Sequence, residues 1–86
     1  MAKVLIYTTK LCPYCSMAKR LLKSKDVEME EIDVTFDPST RRNMSKKSGG
    51  ATSVPQIFIG DTHVGGCDDL HALEKRGALD AMLQAG

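Results

Sequence analysis

Val4-Leu5-Ile6-Tyr7-Thr8-Thr9-Lys10-Leu11-Cys12-Pro13-Tyr14-Cys15 is the stretch whose reading decides the fold. Its apolar run Val4 to Tyr7 is short and continuous, the pattern of a central strand buried on both faces. The run ends in polar residues and delivers the chain to a cysteine pair. Beyond the pair, Ala18, Leu21 and Leu22 recur at helical spacing with Lys19, Arg20 and Lys23 on the other side, so a helix is expected from about Pro13 to Lys25. Proline fits a first helical turn because its missing N–H had no partner there. Cys12 thus falls at a helix start, where unpaired N–H groups and the positive end of the helix dipole favour thiolate over thiol. The dipole contributes at most about 2 kcal/mol, or roughly 1.5 units from a reference pKa of about 8.5. Direct N–H to sulfur bonds and the Lys10 cation would supply any further lowering. Cys15, one turn in and more covered, keeps the higher pKa, an asymmetry that suits an attacking and a resolving thiol.

Working outward, Val27 to Val34 mixes Met29, Ile32 and Val34 with Glu28, Glu30, Glu31 and Asp33 and is expected as a second strand with one side in water. Asp37-Pro38 has the form of an N-cap with proline at the first helical position. That helix runs to Ser48, has Met44 as its one convincing apolar anchor, and closes at Gly49-Gly50. Val54 to Ile59 forms a strand, Gly60-Asp61 a turn, and Thr62-His63-Val64 the returning strand of a hairpin, broken by Gly65-Gly66. Cys67 to Arg76 and Ala78 to Gln84 are helical segments parted by Gly77, with Leu70, Leu73, Leu79, Met82 and Leu83 facing inward. The order β-α-β-α-β-β-α makes an α/β protein with a mixed sheet flanked by helices.

Composition narrows the rest. Eighty-six residues and 9.4 kDa are one small domain, 1–86, that hides only about 60–65% of its unfolded surface and has no room for a large internal cavity. Twelve basic against eleven acidic residues give a net charge of +1, with no basic stripe interleaved with aromatics, so nucleic-acid binding is not expected. With 42% hydrophobic and 27% charged residues the chain should fold by itself. Three cysteines argue against a disulfide-stapled secreted scaffold. The apolar run after Met1-Ala2-Lys3 is too short for a signal peptide, and no window approaches a membrane span. A reducing, cytoplasmic setting is expected, where a close cysteine pair is more often catalytic or metal-binding than structural.

Three motifs in family order carry a resemblance: Cys12-Pro13-Tyr14-Cys15 after the first strand, Ser53-Val54-Pro55-Gln56 opening the third, and Gly65-Gly66-Cys67-Asp68-Asp69 opening the third helix. From Lys3 to Leu83 the chain resembles a dithiol glutaredoxin of the thioredoxin fold, with a four-stranded mixed sheet. Thioredoxins proper usually enclose Gly-Pro after a tryptophan, and this chain has no Trp. The resemblance implies a glutathione-dependent thiol–disulfide oxidoreductase with Cys12 as nucleophile and Cys15 as resolving thiol. It also implies a cis Val54–Pro55 bond that presents the Val54 backbone to the glutathione cysteine as an added strand. By the same resemblance, the N–H groups of Cys67 and Asp68 face the γ-glutamyl carboxylate, the Asp68 side chain its ammonium, Lys10 and Arg41 the glycine carboxylate, and Tyr14 the bound sulfur. Gly49-Gly50-Ala51-Thr52-Ser53 is one residue longer than the family pattern, which leaves Arg42 as the alternative to Arg41. The implied partners are glutathione, glutathionylated or disulfide-containing proteins and, through the glutathione pool, glutathione reductase. A monomer with no metal is the simplest expectation.

Blander and rival readings stand beside this one. Cys12 and Cys15 have zinc-finger spacing, but a closed site needs four ligands and only Cys67, His63 and His71 remain, with no second pair at ligand spacing. A purely structural Cys12–Cys15 bridge closes too small a loop to stabilise much. Cys67 reads as a small covered residue, His63 and His71 as surface residues, and the basic residues of the first helix as a solvated face. The rival function is a carrier in which two chains hold a [2Fe–2S] cluster through Cys12 and two glutathiones. Relatives with that role often have one active-site cysteine followed by Gly-Phe-Ser. A redoxin coupled to thioredoxin reductase is a nearer variant.

Overall fold

The computed structural model describes residues 2–85; Met1, quoted above with the N-terminal run, and Gly86 lie outside them. The elements are β1 (Val4–Thr8), α1 (Pro13–Ser24), β2 (Met29–Asp33), α2 (Pro38–Lys47), β3 (Gln56–Ile59), β4 (Thr62–Gly65), α3 (Cys67–Lys75) and α4 (Leu79–Gln84). They build one four-stranded sheet in the order β2-β1-β3-β4, with β1 parallel to β2 and antiparallel to β3, and β3 antiparallel to β4. This is the mixed sheet of the thioredoxin fold, with the last helical stretch divided at Gly77, whose φ is +72°.

Because strand side chains alternate between faces, a continuously apolar β1 feeds two cores. Val4 and Ile6 pack with Ala18 and Leu22 of α1, Ile57 and Ile59 of β3, and Leu70, Leu79 and Leu83 from the last two helices. Tyr7 turns the other way and packs with Val34, Phe58 and Met44, the only buried residue of α2. The sheet is thus covered by α1, α3 and α4 on one side and α2 on the other. Asp37 caps α2 by accepting the Thr40 N–H at 3.1 Å and the Thr40 hydroxyl at 2.7 Å, which holds its carboxyl below the usual range.

Two strands are shorter than the sequence suggests. The ladder of β2 spans Met29–Asp33 rather than Val27 to Val34, although Val34 N–H still donates to Thr8 at 2.8 Å. As an edge strand, β2 keeps Glu30 and Glu31 in solvent, where they meet Lys3 at 3.1 Å and Lys19 at 3.0 Å. Strand β3 begins at Gln56 rather than Val54, because Pro55 has no N–H to give the ladder and the Val54–Pro55 bond is cis. Val54 is left outside the sheet, at the end of β1 where the chain runs toward the cysteines.

The far end of α1 is tied to the last two helices by Lys25, whose ammonium lies 2.8 Å from Glu74 and 2.9 Å from Asp80. Hydrogen bonds to those carboxylates, Glu74 foremost, raise the lysine pKa. A raised folded-state pKa stabilises fully below the unfolded value of about 10.4 and ceases to do so as pH rises through the folded value. Lys25→Met should therefore lower Tm by about a few degrees at pH 7, with the difference from wild type shrinking in melts above about pH 10.5. A difference that persists unchanged into that alkaline range would assign it to packing of the lysine stem.

Candidate active site

Cys12 is the N-cap of α1, with extended backbone at φ −137° and ψ 96°. The next turn closes beneath it: Ser16 N–H donates to the Cys12 carbonyl at 3.2 Å, and Cys15 N–H donates to Cys12 Sγ at 3.1 Å. Proline at the first helical position costs no hydrogen bond here. The sulfurs of Cys12 and Cys15 are joined in a disulfide, with Cα atoms 5.2 Å apart. Cys12 is half-buried and reachable, whereas Cys15 is 2% exposed. In the reduced pair, the same Cys15 N–H and the helix start favour negative charge on Cys12, the more accessible sulfur.

Opposite the pair, the Val54 carbonyl oxygen lies 3.9 Å from Cys12 Sγ. A cleft of about 520 Å³ opens there and runs from Tyr14 across Val54 and Pro55 to Gly66, Cys67 and Asp68. Its far end is shaped by Gly65, whose φ of +113° suits glycine and where a Cβ would collide with the Asp69 carboxylate. That carboxylate accepts the Gly66 N–H at 2.9 Å and so caps the entry to α3. Asp68 is exposed and has no hydrogen-bond or ion-pair partner among the described residues. The two neighbouring aspartates therefore do different work: Asp69 is used by the fold, and Asp68 is free beside the first N–H groups of the helix. Cys67 is buried, and burial first, then the Asp68 charge, pushes its thiol pKa up, so it stays protonated at neutral pH.

Of the residues singled out in the sequence, Tyr14, Val54, Pro55, Cys67 and Asp68 line this one cleft, and Cys12 lies beside it, its Sγ 3.9 Å from the Val54 carbonyl oxygen. Lys10 and Arg41 do not line it. The Lys10 ammonium sits 5.3 Å from the ring centre of Phe36, and its backbone N–H donates to Thr35 Oγ1 at 2.8 Å. The Arg41 guanidinium donates to the Thr52 carbonyl at 3.0 Å, tying α2 to the loop that leads into Val54, while Arg42 is exposed.

Gln56 and His63 are among the cleft residues that had no site role from sequence. His63 Nε2 and Gln56 Oε1 are 2.7 Å apart, and Gln56 Nε2 donates to the Ser53 carbonyl at 3.0 Å, so β4, β3 and the Val54 loop are linked through one buried amide. The signal was Gln56 itself, a polar residue opening the otherwise apolar strand Gln56–Ile59 and only 3% exposed. His71, expected at the surface, is half-buried; its Nε2 is covered and has no partner among the described residues. It faces Met17 and Leu21 across a groove between α1 and α3, where burial follows from the packing of the two helices. Among the described residues, no group of three or more His, Cys, Asp or Glu is placed to hold a metal ion, and no helix is long and apolar enough to cross a membrane.

A cysteine pair set between strand and helix, facing a cis-proline loop on this sheet, defines a dithiol protein of thioredoxin fold. Comparison with known proteins gives the family. The glutaredoxin family model matches residues 4–64. A glutaredoxin of Pseudomonas aeruginosa is 56% identical over 85 residues, covering 99% of this chain and all of that one. The solution structure of a glutaredoxin from Brucella melitensis superimposes with a TM-score of 0.87 at 52% identity, covering 100% of this chain and 92% of that one. A crystal structure of a buckwheat glutaredoxin–glutathione complex does so with a TM-score of 0.86 at 26% identity, over 95% and 76% of the two chains. The chain belongs to the glutaredoxin family, and its Cys12–Cys15 pair is that of a thiol–disulfide oxidoreductase.

Proposed function

We propose that the co-substrate of this oxidoreductase is glutathione, and that it reduces protein–glutathione mixed disulfides and protein disulfides. The observation that carries the reading is the placement of Cys12 Sγ, 3.1 Å from the Cys15 N–H and 3.9 Å from the Val54 carbonyl oxygen, beside a cleft that ends on an exposed Asp68 at a helix start. In the first route, Cys12 thiolate attacks the glutathione sulfur of a mixed disulfide. The substrate leaves as a thiolate, and Cys12 carries the glutathione. A second glutathione thiolate attacks that sulfur, releasing oxidised glutathione and the Cys12 thiolate. In the second route, Cys12 attacks a protein disulfide, Cys15 resolves the mixed disulfide by displacing the protein sulfur, and two glutathiones reduce the resulting Cys12–Cys15 bond.

The cleft suits the tripeptide at several points. The Val54 backbone, outside the ladder, has the form to pair with an extended cysteine residue, and Pro55 holds that loop. The N–H groups of Cys67 and Asp68 fit one carboxylate and the Asp68 side chain an ammonium, while Tyr14 walls the sulfur. Lys10 and Arg41, outside the cleft lining, would reach the glycine carboxylate by moving from Phe36 and Thr52. We assign the protein to the cytoplasm as a monomer, coupled to glutathione reductase only through the glutathione pool.

The test is to add fully reduced protein to an S-glutathionylated peptide and to map backbone chemical shifts on titration with the tripeptide. Rapid transfer to Cys12, with shifts at Val54, Cys67 and Asp68, is the expected outcome. Neither exchange nor shifts in that cleft would remove glutathione from the reading.

A further inference from the structure

We propose that the outward face of α1 is a docking surface for protein disulfide substrates, one that favours partners carrying acidic residues about three and five positions from the reactive cysteine. The inference rests on the thiol–disulfide reading above and adds the chemistry of the protein partner. Helix α1 buries Cys15, Ala18 and Leu22. The arc left in solvent holds two shallow grooves that share Arg20. One, of about 340 Å³, is lined by Ser16, Lys19, Arg20 and Lys23. The other, of about 250 Å³, lies between α1 and α3 and has Met17 and Leu21 in its wall.

Charge selects the occupant. The helix carries Lys19, Arg20 and Lys23 and no acidic residue, in a chain whose net charge is only +1. Lys19 is neutralised by Glu31 at 3.0 Å, but Arg20 and Lys23 are exposed and form no ion pair among the described residues. The groove shares no residue with the tripeptide cleft, so both could be occupied at once. The groove begins at Ser16, on the helix that Cys12 caps, and the exposed apolar side chains of Leu11 (95%), Tyr14 (60%) and Met17 (46%) lie in the sequence around the pair. At a rise of about 1.5 Å per helical residue, Arg20 and Lys23 stand roughly 12 and 16 Å along the axis from Cys12. An extended partner advances about 3.3 Å per residue and turns alternate side chains to one face, so its third and fifth residues from the cysteine share a face and stand roughly 10 and 16 Å away, within reach of those two long cations. Carboxylates there would meet two unpaired cations, and an apolar neighbour would meet Met17.

The experiment uses three oxidised peptides with one intramolecular disulfide each, identical except for Glu, Gln or Lys at the third and fifth positions from one cysteine, placed on either side in separate sets. They are reduced by the wild-type protein with glutathione and glutathione reductase, beside hydroxyethyl disulfide as a small substrate. At low salt, kcat/KM for a Glu peptide should exceed that for its Lys counterpart by about tenfold, and 0.5 M salt should erase most of the difference. Arg20→Glu/Lys23→Glu should abolish or invert the preference, Arg20→Gln/Lys23→Gln should flatten it, and neither should change hydroxyethyl disulfide turnover by more than about twofold. Equal rates for Glu and Lys peptides in both sets would overturn the proposal. So would a charge variant that slows every substrate alike, since that describes general steering of anionic glutathione. A wild-type protein that fails on hydroxyethyl disulfide itself would instead overturn the glutathione reading.

Discussion

Cys12→Ser should abolish reduction of glutathionylated peptides and protein disulfides alike, by about 10³-fold or more, whereas Cys15→Ser should leave the first route within about threefold of wild type and remove the second. The two substitutions change the same atom type one helical turn apart, so the contrast comes from position. Cys12 Sγ is the reachable sulfur, receives an N–H bond at 3.1 Å and lies 3.9 Å from the Val54 carbonyl oxygen beside the cleft. A serine hydroxyl there would have no accessible anionic form at neutral pH and could form no disulfide. Cys15 is 2% exposed, and no incoming disulfide can reach it before Cys12 has reacted. It is still bonding distance from Cys12, as the disulfide shows, which is the geometry that resolution of a mixed disulfide needs. Serine at position 15 keeps the backbone N–H that favours the Cys12 thiolate, so nucleophilic attack survives. The variants are compared by coupled glutathione reductase assays on a glutathionylated peptide and on a disulfide peptide, with mass spectrometry for trapped intermediates. Cys15→Ser should accumulate a stable mixed disulfide on Cys12. Equal loss of both routes in Cys15→Ser would refute the division between attacking and resolving thiol.

What was legible in the sequence follows the strength of each local signal. The strand Val4–Thr8 and helix Pro13–Ser24 were readable because burial on two faces and an amphipathic stripe leave opposite patterns on either side of the cysteine pair. Helix α2 was readable from its ends, Asp37-Pro38 and Gly49, more than from its middle, since Met44 is its only buried residue. The ends of β2 and β3 were overdrawn because apolar side chains pack past the point where the ladder stops, and periodicity reports packing, not backbone pairing. Val54 belongs to the second core while lying outside β3. Within the cleft, Tyr14, Val54, Pro55, Cys67 and Asp68 were legible only through the family resemblance that the three motifs carry, and the structure lines one cleft with all five. Lys10 lies over Phe36 and Arg41 on the Thr52 carbonyl, contacts set by where β2 and the Thr52 loop pass in space. The His63–Gln56 link was hidden for a similar reason, because it joins two strands across the hairpin and no spacing along either strand announces it.

Gly65→Ala should cost about 3 kcal/mol and lower Tm by on the order of 12 °C or more, a large share of the stability of a domain this small. At φ +113° an L side chain costs about 1–2 kcal/mol in backbone energy, the first contribution. The second comes from Asp69, whose carboxylate occupies the space an added Cβ requires. To clear it, Asp69 must release the Gly66 N–H that it now holds at 2.9 Å, and loss of such a cap costs about 1 kcal/mol. The same movement disorders the turn that presents the N–H groups of Cys67 and Asp68, so the KM for glutathione should rise with the fall in stability. A double-mutant cycle separates the contributions. On an Asp69→Ala background the obstruction is gone and the cap already lost, so adding Gly65→Ala should cost only the backbone strain, leaving a coupling of about 1 kcal/mol or more. Urea unfolding of the four proteins gives that coupling directly. Strict additivity would show that Asp69 moves aside freely and does not hold this end of the cleft in shape.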